Sequence, residues 1–450
     1  MSTPDNSPQK SEVPGTFLGY LKSFGPGIIV VLTWLGAGDV VETSVAGGKY
    51  GYALMWVMVV AIGMRFLFVS LIAKYQLCNQ RGEGVLDGLA RIHPVYPLFL
   101  FLASIVMGHV SCAYMTVGIA EVCVNLTGGG QKWMWAVLWN GIGLAIIFRP
   151  VLGNIESLFK VLLVVLSISF VGTALWVGPD PAGILQGTFA FKLPPASAGP
   201  DQSDGALLVA IGLIGAVGGS LMNLVYPYFL QDKGWNSPAH RKVQTYDFLL
   251  AILVMIVLNL SIWTLGAEVL HLKGQDLNDI KLDDLPQLLT GLLGSGGHVV
   301  FYVGIFAAIY SSLVGHALGL GYLGSHAYQR LTKGADAKTG DYRSHAWYRR
   351  IAVWCLVSPI IWTIPGVPEE ASFVYMTLVA NSAQVMLVPP IAGGLWWITA
   401  NSDYIGEQYR NRWWENLVMA VLFAVAIWAA VGSLASVYES LSEVFQALVG

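Results

Sequence analysis

Charge is what this 450-residue chain has least of: Asp, Glu, Lys and Arg make up 11% of it, less than half of the roughly 25% usual in soluble domains. With 55% hydrophobic residues and a mean hydropathy of +0.62, that scarcity excludes an ordinary soluble fold and points to a membrane protein. Cysteine is scarce as well. Cys78, Cys112, Cys123 and Cys355 lie in or beside apolar segments without paired or metal-ligand spacing, which argues against a disulfide framework or a zinc site and leaves them as packing residues. A net charge of −3 offers nucleic acid nothing to bind. The opening MSTPDNSPQKSE lacks the basic and apolar regions of a signal peptide, so residues 1–22 read as a disordered cytosolic tail. A phosphate-binding loop, a metalloprotease helix and a nucleophile elbow are all missing. No enzyme and no cofactor are expected.

What the chain does have is apolar runs near the ~20 residues that span a bilayer. Eleven are expected, at about 24–47, 52–76, 94–126, 132–149, 157–178, 205–231, 245–267, 297–328, 349–364, 371–398 and 413–438. Cytoplasmic loops are enriched in Lys and Arg. Taking the amino-terminal tail and alternate loops together gives 18 of them, the other loops hold five, and Arg65 stays inside a span. The amino terminus is therefore expected inside and the carboxy terminus, 439–450, outside. The outer connection 268–296 carries five acids against two lysines; it reads as a solvated surface, with a cation-gathering vestibule as the alternative.

Two spans are interrupted by glycine. The first contains LGAGD, with Gly36 and Gly38, and the sixth contains IGLIGAVGGS, with Gly212, Gly215, Gly218 and Gly219. These open two five-span blocks, about 23–178 and 205–398, with the eleventh span left over. Five is odd, so the second block enters from the opposite side, giving the inverted repeat of secondary transporters, whose paired broken segments mark a midplane substrate site. Glycine could serve helix packing instead. Asp39, beside the first break, favours a site, because an intramembrane carboxylate is costly and functional by default.

The stretches FGPGIIV at 24–30, SVAGGKYGYALMW at 44–56, GIAEV at 118–122, IGA and NLVY within 214–226, and the pair Ser311 and Ser312 resemble the Nramp divalent-metal transporters. The likeness runs through the first ten spans in order. It implies an all-α integral membrane protein of the inverted-repeat LeuT-type fold with broken helices 1 and 6.

The active motifs depart from that family's pattern. Its first break carries Asp-Pro-Gly-Asn, and the flanking residues align Gly36, Ala37, Gly38 and Asp39 there, so the first acid is lost and the asparagine has become an aspartate. In the sixth span the resemblance puts Ala216 at the family's carbonyl ligand and Gly219 at its methionine. Loss of that thioether turns the site from softer transition metals toward Mg²⁺, Ca²⁺ and Mn²⁺. Mg²⁺ keeps several waters and takes one or two carboxylates, which suits a widened site of Asp39, the Gly36 and Ala216 carbonyls and the space at Gly219. It is joined by Glu42, unless that acid is a gate or packing contact, and by Asn223, placed either to meet a coordinated water or to make a helix–helix contact. The pattern resembles the prokaryotic Nramp-related magnesium transporter branch, which implies inward transport of Mg²⁺, and of Mn²⁺ as well, across the cell membrane by a monomer.

Proton-coupled members have histidines late in span 6, an acid in span 3 and an arginine in span 9. Here 220–231 reads SLMNLVYPYFLQ, the span 3 position is Gly118, and span 9 reads IAVWCLVSP. Uncoupled, facilitated transport is therefore expected. Arg65 is expected to pair with an acid such as Glu121 or to help gate, and His109 and His316 to satisfy hydrogen bonds between helices, with metal ligation as the alternative. Trp396, Trp397, Trp413 and Trp414 read as interfacial anchors. The competing readings are a conventional proton-coupled Mn²⁺/Fe²⁺ Nramp, a Na⁺-coupled amino-acid symporter of the same fold, and a transport-dead metal sensor.

Overall fold

Proline begins the first helix of the bundle and a lost hydrogen bond ends it. The computed structural model describes residues 16, 19–20, 23–148, 152–194, 205–214, 220–271, 284–334, 341–366 and 373–449, and among these there are helices and no strands. Helix α1, Pro26–Trp34, has its proline in the first turn, where the missing N–H costs nothing. Past Trp34 the ladder fails: Gly36 N–H donates to the Trp34 carbonyl at 2.8 Å. The chain restarts at α2, Ala37–Tyr50, with Gly36 as an extended N-cap. The two halves are bent by 55°.

The bundle continues with α3 (Met55–Cys78), the short α4 (Val85–Ile92), α5 (Val95–Thr127), α6 (Lys132–Phe148), α7 (Leu152–Val177), α8 (Pro181–Phe189) and α9 (Gly205–Leu213). After the 3-10 turn Leu221–Val225 come α10 (Tyr226–Asp232), α11 (Arg241–Leu265), α12 (Asp284–Lys333), α13 (Ala346–Val357), α14 (Phe373–Val385), α15 (Val388–Ala400) and α16 (Trp413–Val449). Helix is found in every one of the eleven expected spans. Among the described residues seven helices are long and apolar enough to cross a membrane, and the bent pair α1–α2 makes eight; α6 is a shorter apolar helix. The sixth and ninth spans come as shorter pieces: α9 and α10 with the turn between them, and α13 running into the 3-10 segment Ser358–Thr363. Span 10 is kinked into α14 and α15, with Pro389 in the first turn of the second piece.

Helix α12 forms the inner wall, packed along α5, α7 and α13. Bulky apolar side chains such as Ile168, Leu175 and Val431 point outward, as a surface meeting hydrocarbon requires. Of the four expected anchors, Trp397, Trp413 and Trp414 are exposed, while the Trp396 indole donates to Asn416 at 3.1 Å.

Two buried carboxylates tie elements together at the end of the bundle that bears the basic loops. Asp247 on α11 accepts from Gly25 N at 3.0 Å and from Gly27 N at 2.6 Å, capping α1, whose N-terminus carries partial positive charge. Asp87 on α4 accepts from Gly84 N at 2.7 Å and pairs with His326 Nε2 at 2.6 Å and with Arg330. His326 in turn meets the Tyr228 hydroxyl at 3.0 Å. Burial raises the Asp87 carboxyl, but His326 and Arg330 outweigh it and hold the group well below the usual carboxylate range.

At the opposite end, Glu268 accepts from the Tyr52 hydroxyl at 2.9 Å and from Asp180 N at 3.2 Å beside a cavity of about 430 Å³. Glu268 is thus a structural tie. Most of the acidic connection that follows it lies outside the described residues.

Candidate metal site

A broken helix leaves carbonyls without donors, and in a dry environment each must be satisfied. Ser311 and Ser312 on α12 do this. Ser312 Oγ donates to the Leu32 and Thr33 carbonyls, both at 3.0 Å, and Ser311 Oγ reaches Leu32 at 3.2 Å. The approach is so close that a Cβ on Gly36 would lie 1.9 Å from Ser312 Oγ. Gly36 is therefore required by the scaffold. Its carbonyl, expected from the sequence as a metal ligand, accepts from Val40 N at 3.1 Å in the first turn of α2.

Asp39 stands in that same first turn, 1% exposed. Its Oδ2 has no hydrogen-bond partner. The nearest opposite charge is Arg65 on α3, with Nη1 3.9 Å from Oδ2. This corrects the expected pairing of Arg65 with Glu121, which instead joins Lys132 at 2.8 Å. The reason is geometric: the break turns Asp39 toward α3, while Glu121 lies near the end of α5 beside the start of α6.

Glu42, one turn further on, is equally buried, and its Oε2 is likewise without a partner. Asn381 Nδ2 on α14 donates to Oε1 at 3.4 Å. The carboxylate faces α9 at Gly212, where an added Cβ would sit 2.7 Å from Oε2. Asn223 lies in the 3-10 turn after the second interruption, fully buried, with neither amide atom partnered, but it does not border the cavity at Asp39. Ala216 and Gly219 fall outside the described residues.

Around Asp39 is a cavity of about 20 Å³, bordered by Trp34, Gly36, Gly38, Arg65, Ser220 and His316, room for about one water. His316 Nδ1 lies 2.9 Å from the Ser312 carbonyl. A carbonyl only accepts, so Nδ1 carries the proton and Nε2 keeps its lone pair. His109 bridges helices as expected, to Ser358 at 2.8 Å and to the Trp362 indole at 3.0 Å.

The α5 and α14 walls of the cavity were not anticipated: Tyr114 and Met115, Asn381 and Gln384. The two amides, three apart in the apolar ANSAQV of 380–385, share a helix face, and that spacing was the available signal. Met115 is also among the residues that line the cavity. Among the described residues no group of three or more His, Cys, Asp or Glu side chains is placed to hold a metal ion. A cation here would rely on one or two carboxylates, neutral oxygens and water.

Comparisons with known proteins bear on the family and the fold. A divalent metal cation transporter, MntH, of Verminephrobacter eiseniae is 24% identical over 439 residues, covering 90% of this chain and 87% of that protein. The one from Klebsiella pneumoniae is 23% identical, covering 93% and 95%. A crystal structure of the Eremococcus coleocola manganese transporter, in complex with an aromatic bis-isothiourea substituted compound, superposes with a TM-score of 0.74 at 15% identity, covering 100% of this chain and 96% of that one. MhsT in complex with L-phenylalanine gives 0.56 at 16% identity, covering 95% and 100%. The fold is therefore the LeuT type. The family described as natural resistance-associated macrophage protein-like matches residues 27–436, a stretch running from the capped start of α1 into α16 and holding both interrupted spans, and by that match this chain belongs to the Nramp family.

Proposed function

We infer that this membrane protein is a divalent metal cation transporter and, more finely, that it carries Mg²⁺, with Mn²⁺ as a second substrate, by facilitated alternating access without protons. The observation that carries the reading is Asp39 Oδ2: an intramembrane carboxylate oxygen at a helix break, bordering a cavity and accepting no hydrogen bond. Buried polar atoms are ordinarily paired, so an oxygen left bare is available to a ligand. Asp39 would bind the ion directly. Glu42, Asn223 and the carbonyl of Ala216 would meet its waters, and glycine at 219 would leave room for them. The cavity must widen for this, since about 20 Å³ holds one water and no hydrated dication. The membrane potential suffices as a driving force, at ~2.3 kcal/mol per charge per 100 mV.

A conventional Mn²⁺ carrier is the second reading. Met115 at the cavity favours it, because sulfur suits softer metals, and the solved neighbour from Eremococcus coleocola is a manganese transporter.

The test is Mg²⁺ uptake into proteoliposomes holding a fluorescent indicator, with a pH dye and an Asp39→Ala control. Uptake without acidification that vanishes in the variant supports the first reading. Mn²⁺ uptake with acidification and no Mg²⁺ signal establishes the second.

A further inference from the structure

Metal ligation does not explain Arg65. A cation fixed beside a cation-binding carboxylate should repel the substrate, yet Arg65 is 1% exposed and carries its charge to within 3.9 Å of Asp39 Oδ2. Bridges that hold folds together are commonly bidentate, at about 2.7–2.9 Å. This one is longer than a hydrogen bond. The guanidinium is steadied from other sides, with Nη1 3.5 Å from Met255 Sδ and Cζ 4.9 Å from the centre of the Trp34 ring. Trp34 ends α1 and Asp39 lies in the first turn of α2, so Arg65 addresses both halves of the broken helix.

We propose that Arg65 is the tethered counter-cation of the empty site, neutralising Asp39 when no metal is bound and giving up the carboxylate when a dication enters. The proposal rests on the reading of Asp39 as a metal ligand. A carrier must return empty, and a lone carboxylate in a dry site is costly unless paired. A guanidinium on the protein supplies that pairing in every cycle, so no ion need be carried back. It also competes with the substrate, which weakens binding and eases release. The loose geometry fits a pair that must open at each turnover.

The test uses purified full-length protein and Mn²⁺ as the probe, so that it does not depend on Mg²⁺ transport. Binding is measured by titration calorimetry. Flux is measured in two modes: net uptake into metal-free vesicles, which needs the empty carrier to return, and exchange against internal Mn²⁺, which does not. Removing the competitor in Arg65→Gln should tighten Mn²⁺ binding by about fivefold or more and cut net uptake by about tenfold while exchange persists, shifts of about 1 to 1.4 kcal/mol. Arg65→Lys, which keeps the charge, should recover net uptake. Binding that is unchanged or weaker in Arg65→Gln, or net uptake and exchange falling together, overturns the proposal; so does an Arg65→Lys protein that binds Mn²⁺ normally yet returns no faster than Arg65→Gln. If Asp39→Ala still binds Mn²⁺ like the wild type, the ligand reading of Asp39 fails, whatever Arg65 does.

Discussion

Ser312 Oγ occupies the space that any side chain on residue 36 would need, 1.9 Å from where its Cβ would stand. The serine is there to satisfy two carbonyls freed by the break, so the glycine and the hydroxyl define one joint. Gly36→Ala is expected to abolish metal uptake and lower the unfolding temperature in detergent. Ser312→Ala should cost less, roughly 1–3 kcal/mol for an abandoned buried acceptor, because Ser311 still reaches Leu32 while Thr33 is left bare. If Gly36→Ala transports normally, the joint is not as drawn.

Glu42 can be probed without touching it. A Cβ on Gly212 would press on Oε2 at 2.7 Å, and the carboxylate, at the end of a flexible chain, would yield rather than the helix. Gly212→Ala should therefore fold normally and raise the KM for metal severalfold. An unchanged KM in uptake assays would remove Glu42 from the ion's surroundings.

His316 offers a lone pair at the cavity, because its other ring nitrogen is committed to the Ser312 carbonyl. His316→Leu is expected to raise the KM for Mg²⁺ and Mn²⁺, and His316→Gln, whose amide oxygen also accepts, to raise it less. Equal KM values for both variants and the wild type would return His316 to a packing role.

Asp87 yields a pH prediction. Its carboxyl titrates lower in the folded protein than the ordinary value of 3.8, so the unfolded chain takes up the proton first as pH falls. The stabilisation that depends on the ionised carboxylate is thus complete above about pH 5, begins to fall below about pH 4 and goes on falling as pH drops toward the lower folded value. Asp87→Asn should cost roughly 3–5 kcal/mol, the usual penalty for breaking a buried pair. The gap in unfolding temperature between variant and wild type should stay constant from pH 8 to 5. A gap that closes already near pH 6 would assign the stabilisation to another group.

The broken first helix, the carboxylates beside it and the helix positions were legible because hydropathy and glycine report on them directly. LGAGD announces a break, and Asp39 is conspicuous in an apolar run. Arg65 was matched to Glu121 because which acid comes within its reach depends on how the broken helix packs, a three-dimensional property with no local sequence signal. The amides of Asn381 and Gln384 were overlooked for a related reason: uncharged amides commonly serve contacts between helices, and only their common face on α14 distinguishes them from packing residues. Asn223 was correctly picked as polar and intramembrane. It stands in the 3-10 turn Leu221–Val225, whose angular step differs from that of the α-helix assumed in counting seven residues on from Ala216.

The Asp247 cap gives the half-helix Pro26–Trp34 a second fixed point. One end is fastened to α11 through Gly25 and Gly27, the other to α12 through Ser311 and Ser312. Nine residues span the interval, like a beam clamped at both ends. Such a beam does not tilt gradually; it stays put until one clamp lets go. The two clamps differ in kind, an ionisable carboxylate at one end and neutral hydroxyls at the other, so a single substitution at either would bias which end of the beam releases first.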